Sequence, residues 1–191
     1  MIKVTSPFLQ RFQLDKRSYL LSARAIQMIK LYFDAINVRG DGKLDDVQLY
    51  CFLNTSTNLT DDQINTLFDV FDINGDGSID FDEFYVLVCM LVAIHHNEAK
   101  PFLFKHSRTC FELLDGDANE SVSKKEFAAL GFLFGYSETS VDVIFNQFEL
   151  NNSSEVTFEE FKMFVIAAID IENEELEKKK GEKAGSGCSI L

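Results

Sequence analysis

The stretch Asp72-Ile73-Asn74-Gly75-Asp76-Gly77-Ser78-Ile79-Asp80-Phe81-Asp82-Glu83 decides the fold. Oxygen-bearing side chains recur at every second position: Asp72, Asn74 and Asp76. Gly77 stands sixth, where a sharp bend needs a positive φ that glycine adopts at no steric cost. Ser78 offers a backbone carbonyl at the seventh position, and Ile79 is the apolar eighth. Asp80 is ninth, and Glu83 closes the stretch at the twelfth, able to bind with both carboxylate oxygens. A Ca²⁺ ion takes about six to eight oxygens at about 2.3–2.6 Å, and a tight loop with alternate residues pointing inward supplies them.

This spacing is that of an EF-hand loop. An acidic surface turn, the competing reading, does not explain why every liganding position is filled. Three further segments repeat the pattern in weaker form. Loop 37–48 keeps Gly42 at the sixth position and Leu44 at the eighth. However, Asn37 replaces the first Asp, Gln48 replaces the closing Glu, and Arg39 puts a positive charge at a ligand position. At short range that repulsion outweighs what Asp41 offers, so no calcium is expected there. Loop 115–126 has Asp115, Asp117, Asn119, Ser121 and Glu126 well placed, and calcium binding is expected. Glu120 stands where glycine is usual, and a left-handed non-glycine residue costs about 1 kcal/mol. Loop 149–160 starts with the over-long Glu149, continues with Asn151, Ser153 and Ser154, and ends with Glu160. Its low charge argues against calcium. The expected cofactor is therefore one or two Ca²⁺ ions, with Mg²⁺ as a competitor.

These loops place the chain in the all-α class. The expected architecture is a calmodulin-like EF-hand protein with two lobes of paired hands. Short β contacts between loops are expected at the eighth positions, Leu44 with Ile79 and Val122 with Val156. The 191 residues suit two lobes of ~75 residues. The reading in order is a leader helix over 1–23, a first lobe over 24–96, a linker over 97–101, a second lobe over 102–171 and a charged tail over 172–191. The leader alternates Phe8, Leu9, Phe12, Leu14, Tyr19, Leu20 and Leu21 with Arg11, Lys16 and Arg17, a pattern that suits an amphipathic helix. Its partner is its own lobe, another chain or a membrane surface, with the first favoured. Ile26, Ile29 and Phe33, with Leu31 beside them, mark the first helix. Thr60 and Gln63 form a capping box. The run Phe84–Ile94 is apolar nearly all round, so it should pack on two sides, against its own lobe and against the second lobe or a partner. Phe102–Leu114 reads as the third entering helix.

The net charge of −13 disfavours nucleic acid, because no basic stripe is present to neutralise phosphates. Cations or a basic helix of another protein suit it better. Four cysteines, 51, 89, 110 and 188, show no CxxC spacing, and the first three read as reduced, buried thiols. An eleven-residue apolar run falls short of the roughly twenty residues of a membrane span, so a soluble body is expected. His95 and His96 sit near the hinge and are candidates for pH sensing, with plain solvated linker histidines as the alternative. Glu174 with Lys178 and Glu175 with Lys179 have the spacing of a solvated helix. The terminal Cys188-Ser189-Ile190-Leu191, after a Gly/Ser spacer, fits a prenylation signal and a membrane contact through a lipidated Cys188. One chain anchors only marginally, so Lys178, Lys179, Lys180 and Lys183 would have to assist.

Several stretches resemble one family. They are Phe8-Leu9 through Leu14-Asp15-Lys16 and Leu20-Leu21-Ser22, then Phe84-Tyr85-Val86-Leu87-Val88-Cys89-Met90-Leu91, then His106-Ser107-Arg108 ahead of Phe111 and Leu113-Leu114-Asp115, and Phe132-Leu133-Phe134. Together, over about residues 6–170, they resemble the family of EF-hand calcium-binding domain-containing protein nine. The resemblance implies a cytoplasmic, pH-dependent calcium sensor of the sperm flagellum. It also implies a place in the CatSper channel complex beside a small companion subunit, zeta. The loops here are closer to the calcium pattern than in mammalian members, and the Cys188 ending is not a feature of that family. The alternative is a calcium buffer or a general prenylated EF-hand adaptor. An enzyme is not expected, since no nucleophile-base set or phosphate loop is present.

Overall fold

The computed structural model describes residues 2–134 and 155–166. The fourth entering helix expected around Ser137, Val141, Ile144, Phe145 and Phe148 lies outside them. So do Glu149, Asn151, Ser153 and Ser154 of the fourth loop and the tail with Cys188.

The described chain is helical, in an all-α EF-hand fold. α1 (Ala23–Ile36) and α2 (Asp46–Ser56) flank loop 37–48, and α3 (Asp61–Phe71) and α4 (Phe81–His95) flank loop 72–83. α5 (Ala99–Lys105), α6 (Ser107–Leu114) and α7 (Lys124–Gly131) follow, with loop 115–126 between α6 and α7. Residues 158–166 are helical again. The paired loops meet where expected. Leu44 and Ile79 exchange two backbone hydrogen bonds of 2.8 Å each. β1 (Ser121–Ser123) and β2 (Glu155–Thr157) pair antiparallel with Val122 opposite Val156.

All four hands close in the same way. The ninth residue accepts from the backbone of the twelfth, and the twelfth side chain accepts from the backbone N–H of the ninth. The pairs are Asp45 with Gln48, Asp80 with Glu83, Ser123 with Glu126 and Thr157 with Glu160. This reciprocal cap satisfies two helix-end donors and needs no charge. A loop that has lost its calcium ligands can therefore still start its helix, as Gln48 does. Thr60 and Gln63 make the same box at the start of α3.

Each hand pair has its own aromatic centre. Phe84 lies 5.3 Å from Phe33 and 4.9 Å from Phe52, ring centre to ring centre. Phe111 packs on Phe158 and Phe161, and Phe127 on Phe164.

The leader is not a helix. It forms one 3₁₀ turn, Leu9–Arg11, between two extended contacts, Val4 with Thr57 and Leu14 with Leu21. Asp15 explains the second contact. Its carboxylate accepts from the N–H groups of Arg17 and Ser18, each at 3.0 Å, and from the Ser18 hydroxyl. These bonds, the Ser18 N–H first, hold its carboxyl below the usual range. The Asp-anchored turn carries Tyr19 at φ +52° and sends the chain back on itself. Val4, Leu9, Phe12, Leu14 and Leu21 are buried against the first hand pair, and Phe8 stacks on Tyr32 at 4.6 Å.

α4 is buried almost throughout, from Glu83 and Phe84 to Ile94. It packs on α1 and α3 of its own pair, and also on the leader turn and α5. Its second face is thus covered by the chain itself. Its end is a Schellman motif: Glu98 N–H donates to the Ala93 carbonyl at 2.7 Å and Asn97 N–H to that of Ile94 at 3.1 Å. Asn97 takes the left-handed position at φ +58°. The expected linker 97–101 shrinks accordingly, because α5 already begins at Ala99. The expected helix Phe102–Leu114 is broken at His106, which leaves helical geometry (φ −112°, ψ 31°) between α5 and α6.

Two smaller expectations also fail. Leu31 points to solvent, 71% exposed, while Ile29 and Phe33 carry the buried face of α1. Cys51 is exposed, whereas Cys89 and Cys110 are buried. Burial pushes the Cys89 and Cys110 thiols up to about 11 and about 12, which keeps them protonated. Among the described residues no helix is long and apolar enough to cross a membrane.

Candidate calcium sites

In loop 72–83 the carboxylate of Asp72 accepts from the N–H groups of Asp76 and Gly77, at 3.0 and 2.8 Å. The Asn74 side-chain oxygen accepts from Asp76 N–H at 2.9 Å. These bonds wrap the backbone around the ligand side chains. Gly75 and Gly77 take φ values of +66° and +79°. Glu83 is buried and accepts from Asn74 N–H at 3.3 Å and Asp80 N–H at 2.8 Å. Desolvation raises its carboxyl above the usual range, against the pull of those two hydrogen bonds. Ser78 Oγ donates to Asp76. The second oxygen of Asp76 is held by Lys43, from loop 37–48. That bond first, and the Ser78 hydroxyl second, keeps the Asp76 carboxyl below its ordinary range.

Loop 115–126 repeats the arrangement. Asp115 accepts from Asn119 and Glu120 N–H, both at 3.0 Å. Asp117 accepts from Asn119 N–H at 3.2 Å, and the Asn119 oxygen accepts from Ser121 N–H at 2.8 Å. Glu126 accepts from Gly116 N–H at 3.1 Å and from Ser123 N–H at 2.8 Å. Burial alone would raise its carboxyl, but the Ser123 hydroxyl and backbone bonds outweigh it and hold the group below the usual range. Glu120 and Ala118 adopt φ +64° and +56°, the left-handed positions that loop 72–83 gives to glycines. One carboxylate oxygen each of Asp115, Asp117 and Glu126 lies within 4.8 Å of the others, and among the described residues this is the one acidic group so converged. That spacing fits an oxygen-ligated cation. Across the pair, Ser121 Oγ also donates to Glu155 of the fourth loop.

Loop 37–48 has no such convergence. Arg39 pairs with Asp45 at 2.7 Å, and Asn37 accepts from Gly40 N–H at 3.1 Å.

Residues 26–89 match the EF-hand domain pair. This EF-hand pair spans α1 to α4 and includes both loop 37–48 and loop 72–83. Its match implies Ca²⁺ as the cofactor and a calcium-binding regulatory role. Its candidate ligands are Asp72, Asn74, Asp76, the Ser78 carbonyl and Glu83. In the following hand they are Asp115, Asp117, Asn119, the Ser121 carbonyl and Glu126. The two loops open on a common cleft of about 370 Å³ lined by Asp72, Asp115 and Glu126 together with Asp69 and Glu112.

The histidines are not simple linker residues. His96 Nε2 lies 2.7 Å from the Phe12 carbonyl, and His106 Nε2 lies 3.0 Å from the Ser18 carbonyl. Each ring donates to the leader backbone. His95 is partly buried against His96, with ring centres 4.9 Å apart, and desolvation first, then the neighbouring ring, lowers its pKa. Lys16 of the leader also pairs with Glu98. Sequence reasoning passed over Lys43 and Glu155, and met His106 only within the stretch that carries the resemblance. Their signal was positional for the first two: each is the seventh residue of a degenerate loop, next to the eighth residue that pairs with the other hand.

Proposed function

We propose that this protein is a calcium sensor that regulates a partner protein, rather than an enzyme. The observation that carries the reading is the double role of Glu83. It is the twelfth residue of loop 72–83 and lies in the first turn of α4, whose apolar surface the leader covers. A ligand pull on Glu83 acts directly on the helix under the leader. Sensor hands open and expose apolar surface on binding calcium, while buffer hands barely open. Fluorescence of an anilinonaphthalene dye, with and without Ca²⁺, tests this. An increase with Ca²⁺ is expected, and no calcium-dependent change would count against the sensor.

The family resemblance extends the proposal to a cytoplasmic subunit of a flagellar channel complex of the CatSper type, paired with a small companion chain. Purification of the native complex from sperm tests that assignment. His96 and His106 bond the leader backbone, and His95 packs on His96. This supports pH-dependent sensing, and identical calcium affinities at pH 6.5 and 7.5 would remove that role from His95 and His96. Membrane association would run through Cys188, so a Cys188→Ser variant should leave the membrane fraction. A calcium buffer or a prenylated adaptor is the second reading, favoured by the fact that α4 is already covered by the leader.

A further inference from the structure

We propose that the two degenerate loops set the calcium affinities of the loops they pair with through their seventh residues, Lys43 opposing calcium in loop 72–83 and Glu155 favouring it in loop 115–126. This rests on the reading of those two loops as calcium sites. Pairing at the eighth positions, Leu44 with Ile79 and Val122 with Val156, places each preceding residue beside the neighbouring loop. Lys43 uses that position to pair with Asp76, the fifth-position ligand. Calcium in loop 72–83 has to share or displace an ammonium already on one of its carboxylates. Glu155 uses the equivalent position to accept from the hydroxyl of Ser121, the seventh residue of loop 115–126. It adds a negative charge where the ligand set has fewer favourable backbone positions. Loops 37–48 and 149–160, which look like lost sites, thus act as tuning elements. The loop with the full ligand pattern is held down, the loop without its glycine is lifted, and the two affinities converge.

One unit charge near a divalent ion at the protein surface, screened at physiological salt, should change affinity about two- to fivefold. The experiment uses the full chain and calorimetric Ca²⁺ titration in two backgrounds. Glu126→Gln leaves loop 72–83 to be read, and Glu83→Gln leaves loop 115–126. In the first background Lys43→Gln should tighten binding about two- to fivefold, and Lys43→Arg, which keeps the charge, should retain the lower affinity. In the second background Glu155→Gln should weaken binding by a similar factor. Exchanging the backgrounds separates local from general effects: Lys43→Gln should leave loop 115–126 within about 1.5-fold, a margin below the expected effect. Melting curves in chelator verify that each variant folds. Unchanged or oppositely shifted affinity in a folded Lys43→Gln variant overturns the proposal for the first pair, and the same result for Glu155→Gln overturns it for the second. No binding to loop 72–83, either with Lys43 in place or after the Lys43→Gln substitution, would remove that loop as a site and the Lys43 role with it. That result is distinct from a titration in which calcium binds and the charge has no effect.

Discussion

In the first hand pair a lysine crosses from the degenerate loop to its neighbour, and in the second a glutamate does. Among the described residues the two pairs are built alike. Both pair through an apolar eighth residue, both close each hand with a ninth-to-twelfth cap, and both fill their centres with phenylalanine. Among the described residues they differ in the charge that crosses, in the residue at the left-handed sixth position, and in the leader, which packs on α4 of the first pair and meets the second through the Ser18–His106 contact. The comparison teaches that scaffold and affinity are separable in this fold. The caps and the eighth-position contacts keep a hand in shape after its ligands are gone, so a degenerate loop is free to acquire a charge that serves the other one.

The leader gives the largest expected effect. Phe12 is buried, meets Phe8 edge-on at 5.0 Å and offers its carbonyl to His96. Phe12→Ala should destabilise the first pair by about 3 kcal/mol, the low end for a buried phenylalanine. Urea unfolding followed by circular dichroism would measure the loss. If the leader is specific to the first pair, calcium affinity at loop 115–126 should not change. A matching loss there would show that the two pairs form one cooperative unit.

The closing glutamates come next. Glu83→Gln and Glu126→Gln each remove one charged oxygen pair from a loop and keep the reciprocal cap, as Gln48 does naturally in loop 37–48. Each should cost its own site about ten- to a hundredfold in affinity, the worth of one charge-assisted contact of about 1.5–3 kcal/mol. Calorimetry should show the stoichiometry falling by one site in each case. If Glu126→Gln abolishes all binding, loop 72–83 is not an independent site.

Much of this fold was legible from loop 72–83 outward because its pattern is dictated by ion geometry and its neighbours repeat the period. Leu44 with Ile79, Val122 with Val156 and the Thr60–Gln63 box follow from local rules of spacing. The leader was misread for a physical reason. Its apolar residues suit a helical stripe, but Asp15 bonds its own following backbone, so a turn wins over the helix. The break at His106 carries no local Pro or Gly signal, and the ring there meets the Ser18 carbonyl, 88 residues away. Lys43 and Glu155 were overlooked because reading each loop alone says nothing about which side chain its neighbour lends.

The sixth position offers a smaller and cleaner contrast. Gly77 and Glu120 hold nearly the same φ, +79° and +64°. Glu120→Gly should stabilise the second pair by about 1 kcal/mol by relieving left-handed strain, with Glu120→Gln as the control for charge. Gly77→Ala should cost about 1 kcal/mol or somewhat more, and a Cβ there would meet nothing within 4 Å, so the cost is conformational. Thermal melts in chelator read both. Equal melts for Glu120→Gly and Glu120→Gln would mean that strain at this position is not what separates the loops.

The smallest effect expected is that of pH on the first pair. His95 is packed at the end of α4 with its pKa lowered by desolvation and by His96. The unfolded chain therefore binds this proton more readily than the native one. The associated stability is fully present above the ordinary histidine value of about 6.5 and is lost as pH falls from there through the lower native value. Carboxylates also protonate over the lower part of that window, so the measurement is a difference. Urea unfolding of the wild type and of His95→Gln in chelator, at pH 7.5, 6.5 and 5.5, should show the wild type losing more stability on acidification. His95 lies on α4 rather than in either loop, so its protonation acts on the helix beneath the leader. A wild type and variant that lose stability in parallel would assign the acid response to the carboxylates, and the junction of leader and α4 would then be insensitive to pH through this residue.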